Sequence, residues 1–202
     1  LAVKPNVIES VLVQIKEEVK NKEILVISIA AGVKLDSIKS ILGNSTKIIR
    51  AMPNTPASIM EGVTAISPNE NTNSEDRKKA QLLFECVGKV TEIKEKEIDI
   101  FTALIGSGPA YVFYLIESLL NSSENLSLSD TEKVELISSM IKGAAKLASV
   151  SEDSPKILRN KVTSPGGVTQ RAIEEFEKNK LKEIIKESME SAEKRSIELG
   201  EN

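Results

Sequence analysis

The hydrophobic period changes near residue 95, and that change restricts the chain to one kind of architecture. Up to residue 93, short apolar runs alternate with amphipathic stretches. Residues 1–3, Ile24–Ile29, Thr46–Ile49, Val63–Ser67 and Lys89–Ile93 read as strands, and Val7–Val19, Val33–Leu42 and Ser74–Cys86 as helices. Alternation of this kind implies a mostly parallel sheet covered by helices. From Glu95 onward the strand signals stop and the period becomes helical, so the chain divides into an α/β part, residues 1–94, and an all-α part, residues 95–202.

Within the first part, Val7, Val11, Ile15 and Val19 mark the inward face of the first helix. Ser74 is the expected cap of the third, with Ala80, Leu83 and Phe84 inward. Residues 68–74 read as an exposed polar loop. Counted by elements, this half resembles the later part of a dinucleotide-binding, Rossmann-type domain without its first strand–helix–strand unit. No G-x-G-x-x-G occurs. Gly106-Ser107-Gly108 begins like one but has no strand before it and Tyr111 at the last position.

In the second part, Ile98–Leu120 is apolar around its circumference, with Asp99 the one charge between Ile98 and Ile116. Gly106, Ser107, Gly108 and Pro109 interrupt it, so a buried helix pair covered by a partner chain is expected rather than a membrane span. Ser129 to Glu132 is a capping box for a helix with two apolar stripes, one through Val134, Ile137 and Ile141, the other through Leu136, Met140 and Leu147. Its Gly143, Ala144 and Ala145 suit close helix crossings, and Pro155 starts a short helix. The last helix, Leu181–Leu199, turns Ile184, Ile185, Met189 and Ala192 inward and stops at Gly200.

Composition removes whole classes of chemistry. The 202 residues contain no histidine, which excludes Ser-His-Asp and Cys-His catalysis and histidine-ligated zinc; no metal site is expected. A net charge of −3 without a basic run points away from nucleic acid and anionic membrane as partners. One cysteine, Cys86, cannot form an internal disulfide; it fits a reducing, cytoplasmic setting and reads as a buried core thiol. The chain opens on Leu1 inside an apparent strand, which places its natural start upstream.

Three stretches are candidates for binding. Ala30-Ala31-Gly32 follows a buried run, so the smallest side chains stand at a strand's carboxyl end, where open α/β sheets hold ligands. Residues 50–56 form a proline-stiffened loop around Asn54 and Thr55, either a site border or a plain turn. Residues 161–176 contain a helix start with Ser164 as N-cap, Pro165 as first helical residue and Gly166 and Gly167 in the first turn. Each glycine costs about 1 kcal/mol there. Bare amides receiving a small anion, with the Thr169 hydroxyl beside it, would account for that cost; so would close packing of backbone on backbone.

Taken together and in order, Leu1-Ala2-Val3-Lys4-Pro5, Ala30-Ala31-Gly32-Val33, Met52-Pro53-Asn54-Thr55-Pro56, Gly106-Ser107-Gly108-Pro109-Ala110-Tyr111 and Val162-Thr163-Ser164-Pro165-Gly166-Gly167 resemble the Δ1-pyrroline-5-carboxylate reductase family over essentially the whole chain. The resemblance implies reduction of a cyclic imino acid to proline with NADPH or NADH, by a Rossmann domain and a helical domain that forms a homodimer or larger oligomer. By the same resemblance Val3, Lys4, Pro5, Ala30, Ala31, Asn54 and Lys161 meet the cofactor. Ser164, Gly166, Gly167, Val168, Thr169 and Glu95 meet the substrate, and Thr169 and Glu152 act in catalysis. Ile105, Val168 and Lys161 depart from some relatives, and the glycine-loop part of the cofactor domain has no counterpart here, so these residues alone are expected to bind NADPH poorly. The competing readings are an inactive helical dimerisation module and a 3-hydroxy acid dehydrogenase, for which Lys142 and Lys146 are the available lysines.

Overall fold

Four consecutive residues of the second strand, Ile48 to Ala51, are buried, and a strand buried on both faces must be covered on both. In the computed structural model, which describes residues 1–200, four strands form one sheet in the order β1 (Leu25–Ser28), β2 (Lys47–Met52), β3 (Gly62–Pro68), β4 (Gly88–Glu92). On one face, Val26 and Ile48 pack with Ile8, Leu12 and Val19 of α1 (Pro5–Asn21) and Leu35, Ile38 and Leu42 of α2 (Leu35–Leu42). On the other, Ile49, Ala51 and Ile66 pack with Ala80 and Phe84 of α3 (Ser74–Glu85). The result is the partial Rossmann-type layer expected from the sequence.

The sheet is mixed rather than mostly parallel. β1 pairs with β2 and β3 with β4 in parallel, each through a helical crossover, but β2 and β3 are antiparallel. Residues 53–61 between them hold only a 3₁₀ turn, Thr55–Ile59, and a parallel return needs a crossover of about a dozen residues or more. β3 and β4 approach closely at Gly62 and Gly88, which are register partners. Gly88 has φ +147°, and a Cβ on it would stand 2.0 Å from Gly62 O.

Several local expectations shift. Leu1–Val3 is not a regular strand, yet Leu1 donates its amino group to Ile27 O (2.5 Å) and accepts from Ile29 N (3.0 Å), so it runs parallel beside β1. Helix α1 buries Ile8, Leu12 and Val19, with Val7 turned out. Asn73, not Ser74, caps α3, because its side chain accepts from Asp76 N while Asp76 accepts from Asn73 N. Leu83 and Cys86 are exposed, since α3 places only Ala80 and Phe84 on the sheet. The loop after β3 is only partly exposed: Asn69 is buried, donates to Thr46 O (2.8 Å) and accepts from Ile48 N (3.1 Å).

Beyond β4, a 3₁₀ turn (Glu95–Glu97) leads into α4 (Ile98–Phe101), then a single π turn at Thr102–Gly106, then α5 (Gly108–Asn121). The run 95–121 is long and apolar enough to cross a membrane by length and composition. It is not one regular helix, however: Ser107 N reaches back to Thr102 O (2.8 Å), the wide ring of a π bulge.

By packing, Leu1–Pro109 with residues 188–200 forms one unit and Ala110–Glu187 another, a division that differs from a boundary at 94/95. The second unit contains α6 (Asp130–Val150), capped by the Ser129–Glu132 box as expected, then α7 (Pro155–Lys161) and α8 (Val168–Lys178). α9 (Leu181–Leu199) follows. The expected burial of α6 on two sides is not met within the chain: Val134, Leu136, Met140 and Leu147 are exposed, as are Phe113 and Tyr114 of α5 and Ile184 and Ile185 of α9.

Candidate functional site

Parallel pairing decides which loops share an edge. Leu1–Val3, β1 and β2 run the same way, so Val3-Lys4-Pro5, Ala30-Ala31-Gly32 and Pro53-Asn54 all emerge at the carboxyl edge of the sheet, the usual ligand edge of such folds. Ala30 is buried while Ala31 and Lys4 are exposed. Gly32 takes φ +77°, which turns the chain sharply away from β1 and leaves a bare edge. Ala30, Ala31 and Gly32 thus put the smallest side chains of the edge directly after β1.

Asn54 has a structural task there. It accepts from Val63 N (2.8 Å) and donates Nδ2 to Ile105 O (3.2 Å) in the π turn, pinning the proline loop to β3 on one side and to the π bulge on the other. Gly106 stands against Met52, whose Cε would lie 3.1 Å from an added Cβ. Glu95 likewise has partners. Its Oε1 accepts from Leu35 N (2.6 Å) and from Arg50 (3.3 Å), so this carboxylate, expected from the resemblance to meet substrate, serves as the distant N-cap of α2 and the counter-ion of a buried arginine.

Arg50 is the residue that sequence reasoning passed over. It lies on the same face of β2 as Ile48 and is almost fully buried, with Asp99 as a second carboxylate at 3.8 Å; Asp99 in turn accepts from Ser196 Oγ of α9 (2.7 Å). A charge inside the apolar run Ile48–Met52 was the available signal, since a buried guanidinium must find anions. Its partners, 45 and more positions away, had no local signature.

In the other unit the segment from α7 to α8 differs from its expected form. Ser164, Pro165, Gly166 and Gly167 form a β-turn, with Gly167 N donating to Ser164 O (3.0 Å) and Gly166 at φ +71°, the residue pattern of a type II turn. Ser164 is therefore no N-cap, and the glycines lie outside the helix. Helix α8 starts at Val168 with Gly167 at the cap position. The cost once assigned to helical glycines vanishes: Gly166 supplies the positive φ, and a Cβ on Gly167 would stand 3.0 Å from Ser164 O.

The turn also decides which amides are open. Gly167 N is used by Ser164 O, and Gly166 N donates to Gln170 Oε1 (2.6 Å), so neither points at a ligand. Val168, Thr169 and Gln170 are the first three helical residues, whose N–H groups have no intrahelical acceptor, and no side chain caps them. Val168 and Thr169 are exposed. An uncapped helix start with a threonine hydroxyl at its second position suits a small carboxylate bearing a hydrogen-bonding neighbour. Glu152 is exposed in the turn between α6 and α7, and Lys161 pairs with Asp153 beside it. Among the described residues no cluster suited to a metal ion occurs.

Residues 95–199 match the family model described as pyrroline-5-carboxylate reductase dimerisation. The chain belongs to the pyrroline-5-carboxylate reductase family. It is 36% identical over 201 residues to the Arabidopsis thaliana pyrroline-5-carboxylate reductase, covering 100% of this chain and 72% of that one. Among solved structures, the Plasmodium falciparum pyrroline carboxylate reductase with NADP bound superposes with a TM-score of 0.92 at 37% identity, covering 98% of this chain and 79% of the other. The Coxiella burnetii pyrroline-5-carboxylate reductase gives 0.91 at 38%, covering 98% and 74%. The family is one of oxidoreductases that form homo-oligomers. Membership decides against the 3-hydroxy acid dehydrogenase reading.

Proposed function

We propose that the protein reduces 1-pyrroline-5-carboxylate to L-proline with NADPH or NADH, as a homodimer joined through its helical part. The observation that carries this reading is the uncapped start of α8. Its open amides at Val168, Thr169 and Gln170 receive the substrate carboxylate, and the Thr169 hydroxyl bonds the ring nitrogen. The Ser164–Gly167 turn sets these amides, while Gln170, by holding Gly166 N, keeps the turn closed.

The chemistry needs no histidine. A bound nicotinamide supplies a hydride, and the protein's work is to hold the imine in reach of it. The C=N π bond opens as the carbon gains a C–H bond, and the nitrogen gains a proton from water or from Glu152. A hydrogen bond from Thr169 keeps the nitrogen oriented while its charge changes. Val3, Lys4, Pro5, Ala30 and Ala31 line the cofactor, with Asn54 setting the loop beside it and Lys161 a weaker contributor because Asp153 already holds it. For Thr169→Ala, kcat/KM for the imine should fall roughly 10- to 100-fold, the value of one hydrogen bond to a charged group. An unchanged kcat/KM would remove Thr169 from the mechanism.

A further inference from the structure

Two glycines meet back to back where the last helix ends. A Cβ built on Gly32 would lie 3.1 Å from both the carbonyl carbon and oxygen of Leu199 and 3.3 Å from Gly200 N. The contact is reciprocal, since a Cβ on Gly200 would lie 2.6 Å from Gly32 O and 3.2 Å from Lys34 Cε. Backbone thus packs on backbone, and neither position has room for a side chain. Gly200 N donates to Ile197 O (2.9 Å), which turns the chain back onto this contact.

The same helix is fixed a turn earlier. Ser196 is buried and donates to Asp99 Oδ1 (2.7 Å), joining α9 to the Arg50 cluster. Glu95 in that cluster accepts from Leu35 N (2.6 Å) across a separation of 60 residues, where Lys34 offers α2 no side-chain cap of its own. At the other end of the loop, Ala30 N donates to Ser28 Oγ (3.3 Å). The segment Ala30–Lys34 is therefore gripped on its outer side at Gly32 by the C-terminal turn and at its exit by Glu95.

We propose that the Leu199–Gly200 turn, backed by Ser196, Asp99, Arg50 and Glu95, is a brace that sets the backbone of Ala30–Lys34 and through it the affinity for the nicotinamide end of the cofactor. This rests on the reading above that Ala30 and Ala31 line that end. Gly200, Ser196 and Glu95 are positioning residues and touch no reacting atom. The Leu199–Gly200 turn belongs to neither of the two apolar cores, so a side chain added at Gly200 releases the brace while the sheet and its cores stay closed.

The test compares Gly200→Val and Ser196→Ala with the unmodified full-length protein, using peptide-resolved amide hydrogen exchange and fluorescence titration with NADPH. Exchange over residues 30–35 should quicken about tenfold, with peptides from β2 and β3 unchanged. NADPH affinity should weaken about three- to tenfold as the binding-competent loop becomes a smaller fraction of the population, while KM for the imine at saturating NADPH stays put. Unchanged exchange over 30–35 in both variants overturns the brace whatever the cofactor does. Faster exchange spread over the whole unit overturns it too, because the damage is then to the fold. Local loosening without any loss of NADPH affinity overturns the link from brace to cofactor. If the unmodified protein itself shows no NADPH binding, the link from brace to cofactor fails for these 202 residues, which lack the glycine loop, and the exchange result still decides the brace.

Discussion

Replacing Arg50 by methionine removes a buried cation from between two carboxylates. The Arg50 side chain is 4% exposed, Asp99 14% and Glu95 30%, with separations of 3.8 Å and 3.3 Å. Methionine fills much of the volume, so the cost is electrostatic: Glu95 keeps the Leu35 amide and Asp99 keeps Ser196, but their charges are left uncompensated. Breaking a buried pair from one side costs about 3–5 kcal/mol, and the water access at Glu95 together with the longer Asp99 distance puts this case near about 3 kcal/mol. In a chain of this size that lowers Tm by roughly 6–12 °C. Urea unfolding followed by circular dichroism, at one protein concentration because subunit association adds to stability, measures it directly. The triple variant Arg50→Met, Glu95→Gln, Asp99→Asn should recover much of the loss, since neutral amides leave no orphaned charge. A loss under about 1 kcal/mol for the single change, or a triple variant no better than the single, would refute the electrostatic account.

Gly88→Ala should prevent normal folding, because its Cβ would stand 2.0 Å from Gly62 O in a paired strand; recovery of wild-type soluble yield and stability would show that β3 and β4 are not so close. Gly166→Ala should cost about 1–2 kcal/mol for a left-handed residue and should weaken substrate binding as the turn opens, read by denaturation and by KM for the imine. The Glu70 carboxyl is held below the ordinary glutamate range, first by its hydrogen bond from Lys39, and the Lys39 ammonium is held above its ordinary value, first by its hydrogen bond with Glu70. The Glu70 contribution is therefore present above the unfolded carboxyl pKa and lost as pH falls through the lowered folded value; the Lys39 contribution is present below the unfolded amine pKa and lost as pH rises through the raised one. Carbon-detected NMR titration of Glu70 should show its midpoint returning toward the ordinary value in Lys39→Met, and no movement would remove the pair.

Periodicity in the sequence was enough to show strands alternating with helices up to residue 93, helices alone after it, and the capping box at Ser129 and Glu132, because these depend on neighbours within a turn or two of chain. The absence of histidine and the motif order were likewise plain, and they led to the family. Tertiary structure decided the rest. The exposure of Leu83 and Cys86 followed from where α3 meets the sheet. Ser164-Pro165-Gly166-Gly167 reads in the sequence as a helix start, and only the backbone, with Gly166 at φ +71° and Gln170 reaching back to its amide, makes it a turn and moves the open N–H groups to Val168, Thr169 and Gln170. Arg50, Glu95, Asp99 and Ser196 show the same limit. An ion cluster whose direct contacts join residues up to 97 positions apart is set by the folded path of the chain, and no local pattern announces it.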